Sequence, residues 1–203
     1  MKNFFSLGIA LLMMFNLTAN SANYKVNEHY KVLSSEIFSE RPSIIEFFSF
    51  YCQHCSSFEA VMEKLKIKFS DNVKINKNHV SFMGGTMGKA MGKAYATMVI
   101  LKIENKMVPV LFNRIHDMRS TPKNEAELRQ IFLDEGIDPV QYDKVFSSFA
   151  VDGMVRFFDK RFRNANLSSV PAIIVNGRYL IQAKSVQTID EYFDLVDYLL
   201  QLK

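Results

Sequence analysis

Nine consecutive residues, Ser43-Ile44-Ile45-Glu46-Phe47-Phe48-Ser49-Phe50-Tyr51, run without a break into Cys52-Gln53-His54-Cys55. The run is apolar on both faces, the pattern of a strand buried from two sides. The period then changes. Phe58, Val61, Met62, Leu65 and Phe69 recur at helical spacing, and Asp71-Asn72 ends the stretch. Residues 73–80 (VKINKNHV) read as a second strand. The spacing therefore predicts a strand–helix–strand unit with two cysteines on the first turn of the helix. Such a unit makes a parallel strand pair through a right-handed crossover, which places the chain among α/β folds.

Gly84-Gly85 breaks this pattern, and residues 86–163 read as helical, with Ala94, Met98 and Leu101 on one face. Start signals recur at Ser120-Thr121-Pro122 and at Asp138-Pro139, the second a cap residue followed by proline at the first helical position. Gly136 closes the helix before it, and Phe146, Phe149, Met154, Phe157, Phe158 and Phe162 predict an apolar final helix. Strand character resumes at Ala172–Val175 and Arg178–Ile181. Asn176-Gly177 between them is a strong hairpin signal. Thr188-Ile189-Asp190-Glu191 is a capping box opening a helix with Ile189, Phe193, Val196 and Leu200 on its apolar face. The simplest account is one sheet domain, 23–85 and 164–203, interrupted by an inserted helical domain, 86–163.

Residues 1–22 differ from the rest. Lys2 is followed by the apolar run 4–17 and by small and polar residues through Ala22, the three-part layout of a secretory signal peptide. The run is short for a membrane span. The competing reading is a retained N-terminal anchor. Charged residues make up 23% of the chain and the formal charge is only +4, without a basic run, so a nucleic-acid partner is not expected.

Export permits disulfides, but the chain has two cysteines, three positions apart. A loop that small contributes only about 2 kcal/mol to stability in the chain-entropy model, so a reactive pair is the better reading. At a helix start the two Cα atoms lie within bridging reach. Unpaired N–H groups and the helix dipole favour an anion there, hence the thiolate of Cys52. Stabilising that thiolate stabilises the reduced protein and makes the disulfide a stronger oxidant. His54 adds a group that can be cationic, and Cys55, one turn in, is expected to be the buried resolving thiol. A zinc site would need two more ligands. No second cysteine pair exists, and His29, His79 and His116 show no ligand spacing. Glu46 shares a face with Ile44 and Phe48, and Lys77 shares one with Val73 and Ile75. Both are charged residues at positions where burial demands a partner.

The segment Phe47-Phe48-Ser49-Phe50-Tyr51-Cys52-Gln53-His54-Cys55, with Phe58-Glu59, closely resembles the active-site segment of the DsbA family of bacterial periplasmic disulfide oxidases. His79-Val80-Ser81-Phe82-Met83-Gly84-Gly85, Val170-Pro171-Ala172 and Val175-Asn176-Gly177-Arg178-Tyr179 resemble further family segments, and Gly136-Ile137 and Tyr142-Asp143 fall at matching points between them. The likeness covers nearly all of the chain after residue 22.

The resemblance implies a thioredoxin fold with an inserted all-helical domain. It implies a periplasmic enzyme, without bound cofactor or metal and most simply a monomer, that donates a Cys52–Cys55 disulfide to reduced or unfolded exported polypeptides. Cys52 forms the mixed disulfide, and a DsbB-like quinone-linked membrane oxidase restores the bridge. Pro171 would be the family's cis proline, with Val170 offering backbone groups to the client. Glu46, Lys77 and Glu59 match charged residues beneath the family site and are expected to tune proton transfer to Cys55. One departure concerns Gln53-His54, where the family's familiar dipeptide is Pro-His. Gln53 restores an N–H at the helix start and bears on oxidant strength. The alternatives are a reductase or isomerase on the same fold, and a non-redox peptide binder with an apolar groove lined by some of the 11 methionines, although methionines at helical spacing such as Met87, Met91 and Met98 are more often core than groove.

Overall fold

The computed structural model describes residues 24–34, 42–69 and 72–202. The signal peptide expected at 1–22 lies outside them. The apolar run forms strand β2, Ser43–Phe48, all six residues buried. It occupies the inner part of a five-stranded mixed sheet. On one side lies β3 (Lys74–His79), parallel. On the other lies β4 (Ala172–Val175), antiparallel, followed by β5 (Tyr179–Ile181) and the edge strand β1 (Tyr30–Val32). The register sets Glu46 opposite Lys77 and Phe48 opposite His79.

Helix α1, Gln53–Phe69, connects β2 to β3 and buries Cys55, Met62 and Leu65. With α7 (Ile189–Gln201) it covers the face carrying Ile44, Ile173 and Val175. Ile45, Phe47 and Ile174 pack on the other face with Phe162. Between β3 and β4 the chain forms α2 (Gly88–Leu101), α3 (Glu104–Phe112), α4 (Glu125–Asp134), α5 (Pro139–Phe146) and α6 (Phe149–Asn164). A π-turn, Asn113–Asp117, extends α3. Met91 and Met98 are wholly buried in the core of this block, so they line no groove. No described helix is long and apolar enough to cross a membrane.

Several expectations needed correction. Strand β1 was not foreseen: its three residues bury only Tyr30, and their pairing partner lies about 150 positions away. The helix predicted from Ser120-Thr121-Pro122 begins instead at Glu125. Asn124 caps it by accepting the Glu127 N–H, while the Glu127 carboxylate accepts the Lys123 N–H, and Ser120–Lys123 stay outside any helix or strand. Phe146 belongs to α5, not to the final helix of the block. Phe149 and Phe157 face outward on α6, 93% and 46% exposed, because the buried stripe of that helix runs through Val151, Val155, Phe158 and Phe162.

Candidate active site

Cys52 is the residue from which α1 springs. Its carbonyl accepts the Ser56 N–H at 3.1 Å, opening the helical ladder, and its Sγ accepts the Cys55 N–H at 3.1 Å. The sulfur therefore fills the place that a serine or aspartate oxygen takes at a helix cap, satisfying one of the N–H groups left without an intrahelical partner. Across from it, the Cys52 thiol donates to the carbonyl of Val170 at 3.5 Å. The Val170–Pro171 peptide bond is cis. Both cysteines are free thiols in this structure.

Cys55 is fully buried. Burial, then the hydrogen bond with Cys52, push its thiol far above the ordinary range, so it holds its proton as a dithiol. Gln53 and His54, between the two, are exposed on the first turn. Beneath the pair lies the charged cluster. Lys77 is 3.1 Å from Glu46 and also pairs with Glu59, reaching from β3 to β2 and α1 at once. Burial pushes Glu46 up to about 7 against the pull of Lys77. Burial pulls Lys77 down, but the two carboxylates outweigh it and raise it. A cleft of about 460 Å3 between α1 and α3 has Glu59 and Lys77 in its wall and gives them a path to solvent. Among the described residues no cluster of three or more His, Cys, Asp or Glu is placed to hold a metal ion.

The structure thus gathers every residue singled out from the sequence: Cys52, Gln53, His54 and Cys55 on the first turn, Val170-Pro171 facing the sulfur, Glu46, Lys77 and Glu59 below. It adds two histidines that sequence reasoning weighed only as metal ligands. His79 accepts the Phe50 N–H at 3.1 Å, and burial holds its imidazole neutral, its pKa lowered to about 3. His116 meets the Phe50 carbonyl at 2.8 Å. His79 sits in a segment carrying the family resemblance. His116, in the middle of the helical block, had no such signal.

A thioredoxin-type sheet, a helical block between its third and fourth strands, and Cys-x-x-Cys capping the first helix define a class of dithiol protein. The chain belongs to the family of DSBA-like thioredoxin domains, whose model matches residues 43–194. It is 32% identical over 200 residues to the thiol:disulfide interchange protein DsbA of Escherichia coli strain K12, covering 94% of this chain and 95% of that one. The protein of that name from Salmonella typhi is also 32% identical, with the same coverage. The disulfide oxidoreductase DsbA of Proteus mirabilis superposes with a TM-score of 0.81 at 28% identity, covering 91% of this chain and all of that one.

Proposed function

We infer that this protein is a thiol:disulfide oxidoreductase that donates a Cys52–Cys55 disulfide to reduced, exported polypeptides. The observation that carries the reading is the asymmetry of the pair. Cys52 caps α1 with an N–H aimed at its sulfur, while Cys55 is sealed beneath it and holds its proton. A client thiolate attacks Cys52 Sγ, and the Cys52–Cys55 bond breaks. The electron pair leaves on Cys55, which takes up a proton. A second client thiolate then attacks the client sulfur of the mixed disulfide, and Cys52 departs as a thiolate. The client has lost two electrons to the cysteine pair. The Val170 carbonyl, beside the Cys52 sulfur, is the backbone group placed to meet an extended client. A solved complex of Proteus mirabilis DsbA (27% identity, TM-score 0.83) holds the peptide PWATCDS non-covalently, which supports a polypeptide client here.

Reoxidation is assigned to a DsbB-like quinone-linked membrane oxidase, and the site of action to the periplasm, reached through the leader at 1–22. The division at 85/86 and 163/164 into sheet and helical domains, and a monomeric state, complete the reading. Gln53 favours one second reading. The residues between the cysteines help set thiolate stability, and Gln53 stands where the family dipeptide has proline, so the second reading is a reductase or isomerase on the same fold. Equilibration in glutathione buffers, scored by the mass shift after trapping free thiols, separates the two. Half-oxidation only at strongly oxidising ratios supports the donor, and half-oxidation at reducing ratios supports the alternative. A Cys52→Ser variant that still oxidises clients would remove both.

A further inference from the structure

Phe50 lies two residues before Cys52, and imidazoles from two different elements hold both polar groups of its backbone. His79, ending β3, takes the Phe50 N–H on Nε2 at 3.1 Å. His116, in the π-turn after α3, reaches the Phe50 carbonyl oxygen with Nε2 at 2.8 Å. A carbonyl oxygen only accepts and an amide N–H only donates. His116 therefore carries its hydrogen on Nε2, and His79 does not.

The His116 bond fixes a peptide plane. At one end of the Phe50–Tyr51 peptide the carbonyl is tied to the helical block. At the other, the Tyr51 N–H donates to Ser49 Oγ at 3.2 Å. The next N–H, that of Cys52, donates to the Ser49 carbonyl at 3.0 Å. The Phe50–Tyr51 plane, one peptide before the one that joins Cys52, is thus pinned at both ends and the Cys52 N–H is tied as well, which together set the direction in which Cys52 enters α1. The π-turn makes the reach possible. The Met118 N–H bonds the Asn113 carbonyl five residues back, and this wider turn re-aims the side chain at 116. Such turns are rare and often mark functional positions. The imidazole lies nearly parallel to Phe112, centroids 6.0 Å apart at 29°, and Phe112 packs on Phe50 at 5.0 Å.

We propose that His116 is a positioning residue for Cys52, through which the helical insert sets the placement of the attacked sulfur; this rests on Cys52 being the exchanging thiol. The test compares two substitutions of similar size. His116→Leu keeps packing against Phe112 but has no donor, whereas His116→Gln keeps an N–H donor. The readouts are the rate at which the oxidised protein oxidises a reduced two-cysteine peptide, the glutathione ratio at half-oxidation, and the melting temperature. The Leu variant is expected to react about tenfold more slowly and the Gln variant within about twofold of wild type, as for loss of alignment at a reacting atom. The glutathione ratio is expected to move with the rate in the Leu variant and not in the Gln variant. A Leu variant at the wild-type rate, or a Gln variant as slow as the Leu variant, overturns the proposal. Where the Leu variant is unfolded at the assay temperature, His116→Asn, which keeps the amide but falls short of the carbonyl, takes its place with the same expected loss. Cys52→Ser run alongside separates the two ideas: activity surviving there removes the Cys52 assignment, whatever the His116 variants do.

Discussion

Three charged groups share the space beneath Cys55, and only one of them is a cation. Lys77 pairs with both Glu46 and Glu59, so the cluster carries one negative charge too many for a buried site. Glu46, fully buried on the inner strand β2, bears the consequence: burial raises it to about 7. Between the ordinary carboxylate range and that value the folded protein keeps a proton that the unfolded chain has released. Folding stability must therefore fall as pH rises across that window, by up to about 3 kcal/mol from this group. Glu46→Gln is expected to flatten the slope, read as urea midpoints between pH 4.5 and 7.5. An unchanged slope would show that Glu46 is ionised throughout. The same proton bears on catalysis. Cys55 must take a proton when it leaves the disulfide and lose it when the disulfide re-forms, and Glu46 lies within electrostatic reach of that thiol. Glu46→Gln should accordingly change the pH dependence of the Cys55 reaction. An unaltered profile would reduce the cluster to a structural ion pair.

Local signals gave the elements, and contacts distant in sequence gave what local signals lacked. Asn176-Gly177 was read as a hairpin turn, and both residues take positive φ, 52° and 68°, as a type I′ turn needs. The sequence could not show the rest of what Asn176 does. Its side chain is buried, accepts the Ser43 N–H at 3.1 Å, and donates to the carbonyls of Leu199 and Leu200 at 3.2 and 3.0 Å. One amide thus ties the start of β2 to the C-terminal end of α7, where carbonyls lack helical partners. Glycine suits that φ as well as asparagine does, yet Asn176→Gly is expected to cost about 2–3 kcal/mol, because a buried N–H loses its acceptor. Thermal or chemical denaturation checks this, and a loss under about 0.5 kcal/mol would mean water replaces the amide. The capping box at Thr188 and Glu191 and the Asp138-Pro139 start were legible for the same reason as the turn: each is complete within four residues. The three-residue β1 and the reach of His116 were not, since each is decided by partners or backbone geometry that no short pattern encodes; the cap at Asn124, completed by Glu127 within four residues, was legible and lost only to the neighbouring Ser120-Thr121-Pro122 signal. Glu46 and Lys77 fall between. Their faces were readable from alternation, but their register across the parallel pair belongs to the sheet.

For the whole molecule, redox chemistry and folding are two sides of one cycle linking the folded and unfolded chain in dithiol and disulfide forms. Whatever the fold adds to the oxidising power of the Cys52–Cys55 bridge, it must take from the stability of the disulfide form. The bridge itself returns little, because the loop it closes is so short. The dithiol form, by contrast, has Cys52 capping α1 with its sulfur on the Cys55 N–H and the Val170 carbonyl. A disulfide donor must therefore melt higher reduced than oxidised. A glutathione equilibrium a hundredfold more oxidising in the folded protein than in the unfolded chain corresponds to about 3 kcal/mol between the two forms. The chain has no tryptophan, so far-ultraviolet circular dichroism is the suitable readout, in matched samples with and without reductant. A disulfide form that melts higher would turn the assignment towards a reductase, with Gln53 the first residue to suspect and Gln53→Pro the variant to make. The two measurements also check each other. With only two cysteines in the chain, a disagreement in sign between them would point to bridges between molecules, and the monomeric reading would fall with it.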